Sequence, residues 1–228
     1  MRRAVKICFL VMLATQLAMA GEVIDRVVAT VNGRPILQSD WDQALRCEAL
    51  LDGRSLQGTS AEELRAALDR LVDQELLRQQ AHANEMPRIP AEDVQKRVSE
   101  VRQQLGATAD QAWDTLLARY GLSAAEVQRN LSHQLSVLRL IDERLRPSVH
   151  IDAASIAAYY HDKLEPELRK QGQPVAPMAE VSTKIEELLA QQRMDDLLAA
   201  WLKDLRQQAE VKVEVETPTT VSAVAGSQ

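Results

Sequence analysis

The chain has 228 residues, of which 46% are hydrophobic, but it carries only three Trp, three Tyr and one Phe, with 27 basic residues against 33 acidic for a formal charge of −6. An acidic surface this poor in aromatics excludes nucleic acid as a natural partner, since that needs basic patches and stacking platforms. The length affords a core in one or two domains, and the leucine-, alanine- and glutamine-rich composition points to helices with thin apolar seams.

The first twenty residues set Arg2, Arg3 and Lys6 before an apolar run from Ile7 to Ala20, closing on Ala18-Met19-Ala20 ahead of Gly21. That is the pattern of a secretory signal peptide with an A-x-A cleavage site. The run is short of the roughly 20 residues a membrane span needs, and no cysteine follows Ala20 to make a lipoprotein. Cleavage would remove three basic residues and no acidic one, taking the charge from −6 to −9. Cys8 would leave with the signal, so Cys47 would be the only mature cysteine and no intramolecular disulfide could form. A periplasmic location without stable membrane insertion is the expectation.

Residues 27–37 place Asn32-Gly33 between two runs rich in β-branched residues, which predicts a β-hairpin whose two-residue turn needs φ > 0 at both positions. Ser39, followed by Asp40 and Asp42, reads as the cap of a helix over about 40–52. After a loop from Gly53 to Gly58, Ser60 and Glu63 form a capping box opening a helix with Leu64, Leu68, Leu71, Val72 and Leu76 on one side, ending near Asn84. Pro87 and Pro90 separate it from a helix with Val94, Val98, Val101 and Leu105 in a stripe, stopped by Gly106. A short helix over about 109–120 ends at Gly121.

A second capping box, Ser123 to Glu126, opens a long helix carrying Val127, Leu131, Leu135, Leu138, Ile141 and Leu145 and closed by Pro147. Asp152 caps a helix through Tyr159 and Tyr160, and Gln171 to Pro177 is a loop. Another long amphipathic helix runs from Pro177 to about Ala209, with Val181, Ile185, Leu188, Leu189, Leu198, Trp201, Leu202 and Leu205. Val211 to Val215 alternates apolar and charged residues as a half-buried strand does, and its natural partner is the hairpin at 27–37. The residues from Pro218 on are small and polar, as disordered tails are.

The segment from Val28 to Asp40, with Val31-Asn32-Gly33 and Ser39-Asp40, resembles the opening of the SurA, PrsA and PpiD family of chaperones. The order of the later elements, including the Tyr159-Tyr160-His161 run, the late helix and the terminal strand, extends the resemblance over most of residues 22–216. It implies a mainly α fold, a multi-helix chaperone domain with a small sheet made by the N-terminal hairpin and the C-terminal strand, over residues 21–216 between a signal peptide (1–20) and a tail (217–228). Such chaperones usually insert parvulin-type isomerase domains between the N-terminal helices and the returning C-terminal helix. Here the stretch from Pro147 to Pro177 leaves no room for one and holds no Gly-Gly-Asp-Leu-Gly-like segment, so the isomerase residues have no counterparts.

Chemistry is sparse elsewhere. His82, His133, His150 and His161 are scattered without metal-ligand spacing, Ser132-His133 lacks the strained turn a nucleophile needs, and the glycines are helix stops or loop residues and form no phosphate loop. No metal, cofactor or catalytic residue is therefore expected. Cys47 reads as a small core residue, though an exposed thiol would allow an oxidised dimer. Trp41 and Trp201, on apolar stripes, read as core. Trp113, Tyr120 and Tyr159 divide evenly between core and client contact, and Met86 and Met178 sit beside prolines at element boundaries, where a flexible thioether offers adaptable contact. Those five residues, Met86, Trp113, Tyr120, Tyr159 and Met178, are the client-binding candidates. The resemblance implies an ATP-independent holdase whose partners are unfolded or extended polypeptides, as a monomer or a homodimer. The rival readings are an assembly protein holding one dedicated partner and a prolyl isomerase with an unrecognised site.

Overall fold

The computed structural model describes residues 25–214. The signal-like segment, the C-terminal tail and Val215 lie outside the described residues. In chain order the elements are β1 (Val27–Val31), β2 (Arg34–Leu37), α1 (Gln38–Leu51), α2 (Ala61–Ala83), α3 (Ala91–Gln104), α4 (Asp110–Tyr120), α5 (Ala124–Leu145), a 3₁₀ turn (Arg146–Ser148), α6 (Ala153–Tyr159), a π turn (Tyr160–Leu164), α7 (Glu165–Lys170), α8 (Met178–Gln208) and β3 (Val211–Val213). The fold is mainly α with one three-stranded antiparallel sheet in the order β2-β1-β3.

Asn32 and Gly33 both take positive φ, 52° and 77°, so the turn between β1 and β2 twists with the strands as expected. Asn32 also stitches the hairpin to its neighbours. Its Nδ2 donates to Gln79 Oε1 of α2 at 2.8 Å, and its Oδ1 accepts from the Glu210 N–H at 2.9 Å just before β3. The last strand therefore joins the first, with Val31 opposite Val211 and Ala29 opposite Val213.

The start of α1 differs from expectation. The helix begins at Gln38, and Ser39 is a donor there, giving its N–H (3.2 Å) and its hydroxyl to the Asp25 carboxylate, while Asp40 Oδ2 accepts from the Leu37 N–H at 2.9 Å. A carboxylate arriving from before the hairpin outcompetes the hydroxyl for the first-turn amides, which carry the positive end of the helix dipole. The two capping boxes are as expected: Ser60 Oγ accepts from the Glu63 N–H at 3.2 Å while Glu63 reaches back to the Ser60 N–H at 2.7 Å, and Ser123 and Glu126 repeat the exchange. Beyond Tyr159 the helix does not stop. It widens through the π turn, whose Glu165 N–H donates to the Tyr160 carbonyl, and continues as α7. Pro166 offers no N–H to Asp162 and its ring crowds that carbonyl, so the wider turn absorbs the conflict.

Two cores hold the body. The first joins the sheet (Val28, Val31, Ile36) to Trp41 and Leu45 of α1, Leu68, Val72 and Leu76 of α2, Leu140 and Leu145 of α5, and Trp201 and Leu205 of α8. The second gathers Cys47 and Leu50 of α1, Val101 of α3, Trp113, Leu117 and Tyr120 of α4, and Val127 and Leu131 of α5. Helices α1 and α5 thus serve one core with each half, and each buried aliphatic or aromatic side chain contributes about 1.5–3 kcal/mol. The end of α8 is fastened by Arg206, whose Nε lies 2.6 Å from Asp73, and by Arg144, 4.7 Å from the Trp201 ring centroid.

From residue 146 to residue 200 only Tyr160 and Ile185 are buried. In this part α6 packs on α8, and the Tyr160 hydroxyl donates to the Ala176 carbonyl at 2.9 Å, tying the π turn to the loop before α8. Helix α8 has 31 residues, about 46 Å at 1.5 Å per residue, and packs against the first core only from Met194 on.

Candidate functional site

Among the described residues no group of three or more His, Cys, Asp or Glu is placed to hold a metal ion. All four histidines are exposed. Cys47 is 2% exposed, and burial, with Glu126 and Glu48 adding to it, pushes its thiol up to about 11. A protonated, enclosed thiol does not form the oxidised dimer that an exposed one would allow.

The feature with functional shape is a trough of about 980 Å³ where α3 and α8 both pack on α5 but stand apart from one another. Its floor is aliphatic: Leu135, Leu138 and Ile141 of α5, with Met194 and Leu198 of α8 and Ile89 from the segment before α3. The cause lies in α5. Leu131 and Leu138 are seven residues apart and so point the same way to within about 20°, yet Leu131 is 1% exposed and Leu138 60%. The second core covers that side of α5 as far as Leu131, and the first core engages the later turns from another side through Leu140. Leu138 falls in the gap between them, an uncovered aliphatic side chain on a rigid helix.

The rims are charged. On the α3 and α5 side Arg97 pairs with Glu100 at 3.1 Å, Arg139 lies 3.7 Å from Glu143, and Arg146 pairs with Asp142. Asp93 and Lys96 of α3 and Glu187 of α8 have no ion pair among the described residues, and Asp195 of α8 accepts only from Gln191 Nε2, at 2.8 Å. The site thus offers aliphatic contact framed by mixed charge, which suits a chain with exposed apolar side chains.

The five candidate residues are not brought together. Trp113 (4% exposed) and Tyr120 (9%) lie inside the second core, Tyr120 donating its hydroxyl to the Arg54 carbonyl at 2.9 Å. Of the two readings left open for them, core and client contact, both take the core in this conformation: a ring that can complete a core gains more from burial than from exposure. Met86 is half-buried against the first core, Tyr159 is half-buried in α6, and Met178, 40% exposed, opens α8. None of the five lines the trough. Of the residues that do line it, Leu135, Leu138, Ile141 and Leu198 were visible only as members of the stripes on α5 and α8, and no local signal separates Leu138 from its covered neighbours.

Among the described residues no helix is long and apolar enough to cross a membrane. A family model described as the SurA-like N-terminal domain matches residues 1–141, from the start of the chain through Ile141, the last α5 residue of the trough floor. No curated protein matches the chain.

Proposed function

The chain belongs to the SurA-like N-terminal domain family, and from that premise we propose that it is an ATP-independent periplasmic holdase, binding unfolded outer-membrane or secreted proteins in transit without chemistry. The signal-like opening, Arg2, Arg3 and Lys6 before Ile7 to Ala20, supports export. The non-catalytic reading is supported by what occupies the span between α5 and α8: the 3₁₀ turn, α6, the π turn, α7 and a loop, where the resembling chaperones carry an isomerase domain.

The observation that carries the proposal is Leu138, 60% exposed on the floor of an aliphatic trough that the monomer leaves open. A holdase needs apolar surface within reach of many sequences, held by a scaffold that does not collapse over it. The test is aggregation of a urea-denatured outer-membrane barrel diluted into buffer with an equal amount of the mature protein. Wild type should suppress the scattering, and Leu138→Asp, at a site exposed enough to leave folding intact, should lose most of the suppression. Absence of suppression by wild type would overturn the reading. A single stoichiometric partner captured from periplasm, without a spread of precursors, would favour the assembly-protein reading instead.

A further inference from the structure

Resting on that reading of the trough, we infer that it selects apolar segments bearing Lys or Arg over those bearing Asp or Glu. The trough contains cations and anions, but most of its cations are already spent on neighbours. Arg97 faces Glu100, Arg146 faces Asp142, and Arg139 faces Glu143. What is left without an ion pair is Lys96 on the positive side and Asp93, Glu187 and Asp195 on the negative.

Two of those carboxylates share one wall. Glu187, Gln191 and Asp195 recur every four residues along α8, so all three line the same edge, with the Ala190, Met194 and Leu198 aliphatic row beside them. From Glu187 to Leu198 the wall runs about 16 Å, the length of roughly five extended residues. A segment laid over Leu138 thus meets an aliphatic strip with a carboxylate that has no ion pair near each end of one side. The formal charge, −6 for the whole chain and −9 once residues 1–20 are removed, adds attraction for cationic segments at longer range and repulsion for acidic ones.

The experiment uses the mature full-length chain and three fluorescein-labelled heptapeptides with the same leucine-rich centre, flanked by two Lys, two Gln or two Glu, followed by anisotropy at low salt. The Lys peptide should bind about fivefold more tightly than the Gln peptide, and the Glu peptide more weakly than both. The preference should fade as salt approaches 1 M, where the screening length falls to about 3 Å. Glu187→Lys with Asp195→Lys, both at exposed positions, should invert the order of the Lys and Glu peptides while leaving the Gln peptide nearly unchanged. If all three peptides bind equally and Leu138→Asp abolishes binding, the charge selection is wrong and the trough stands as a client site. If none binds, or if the Glu peptide binds best, the inference fails, and in the first case the client-site reading fails with it.

Discussion

Residues 27–145 and residues 149–198 are both largely helical and both amphipathic, yet they are stabilised differently. The first region closes two cores around Trp41, Leu50, Val72, Val101 and Leu131. The second buries Tyr160 and Ile185 and leaves the rest of its apolar residues half-covered or exposed, Met178 and Leu188 among them. Helical periodicity sets which side chains share a face, whereas coverage depends on how many neighbours that face meets. A body with two cores can hold a trough open; an arm with two buried side chains can adjust its wall to what enters.

The largest effect expected from this contrast is in the body. Trp41→Ala removes a ring 1% exposed together with its Nε1–H donation to the Leu64 carbonyl at 3.2 Å, and should cost about 3–5 kcal/mol in urea unfolding. Ile185→Ala, although Ile185 is nearly as buried, should act locally. Amide exchange should accelerate over 153–190 while global stability changes by less than about 1 kcal/mol. A global loss matching that of Trp41→Ala would break the comparison and make the arm part of one cooperative unit.

Modest global effects lie at the helix starts of the body. Ser60→Ala and Ser123→Ala should each cost about 1 kcal/mol. Hydrogen bonds from the Ser60 backbone and hydroxyl hold the Glu63 carboxyl below its usual value of 4.5, and those from the Ser123 hydroxyl and backbone do the same for Glu126. A carboxyl with a lowered folded pKa binds its proton more readily when unfolded. Its stabilisation is therefore complete above about pH 4.5 and is lost as pH falls through the folded value. Glu126→Gln should accordingly flatten the acid limb of the stability curve below pH 4.5 and leave its slope at neutral pH unchanged.

Most of the fold was legible because its signals are local. Asn32-Gly33 demands a turn with two positive φ values, Ser60 and Ser123 announce helices three residues ahead of their glutamates, and Gly121 ends α4 in the left-handed region at φ 62°. The start of α1 was misread because Asp25, fourteen residues before Ser39, intervenes. The trough was not legible for the same reason on a larger scale. Leu131 and Leu138 look identical in the pattern of α5, and only the packing of α1 and α4 around one and the separation of α3 and α8 around the other sets their fates. Trp113 and Tyr120 were left between core and contact because nothing nearby in the chain reveals that Cys47 and Leu50 of α1, Val101 of α3 and Leu131 of α5 gather with them.

The meeting of β3 with β1 has a consequence in time. The outer edge of β1 has no strand beside it until Val211 exists, 180 residues after Val31. At 5–20 residues per second, synthesis alone leaves that edge bare for roughly ten to forty seconds. During its own birth a guardian of unfinished chains is thus itself unfinished in the same way, with an open strand edge that β3, the strand beyond the end of α8, must return to cover.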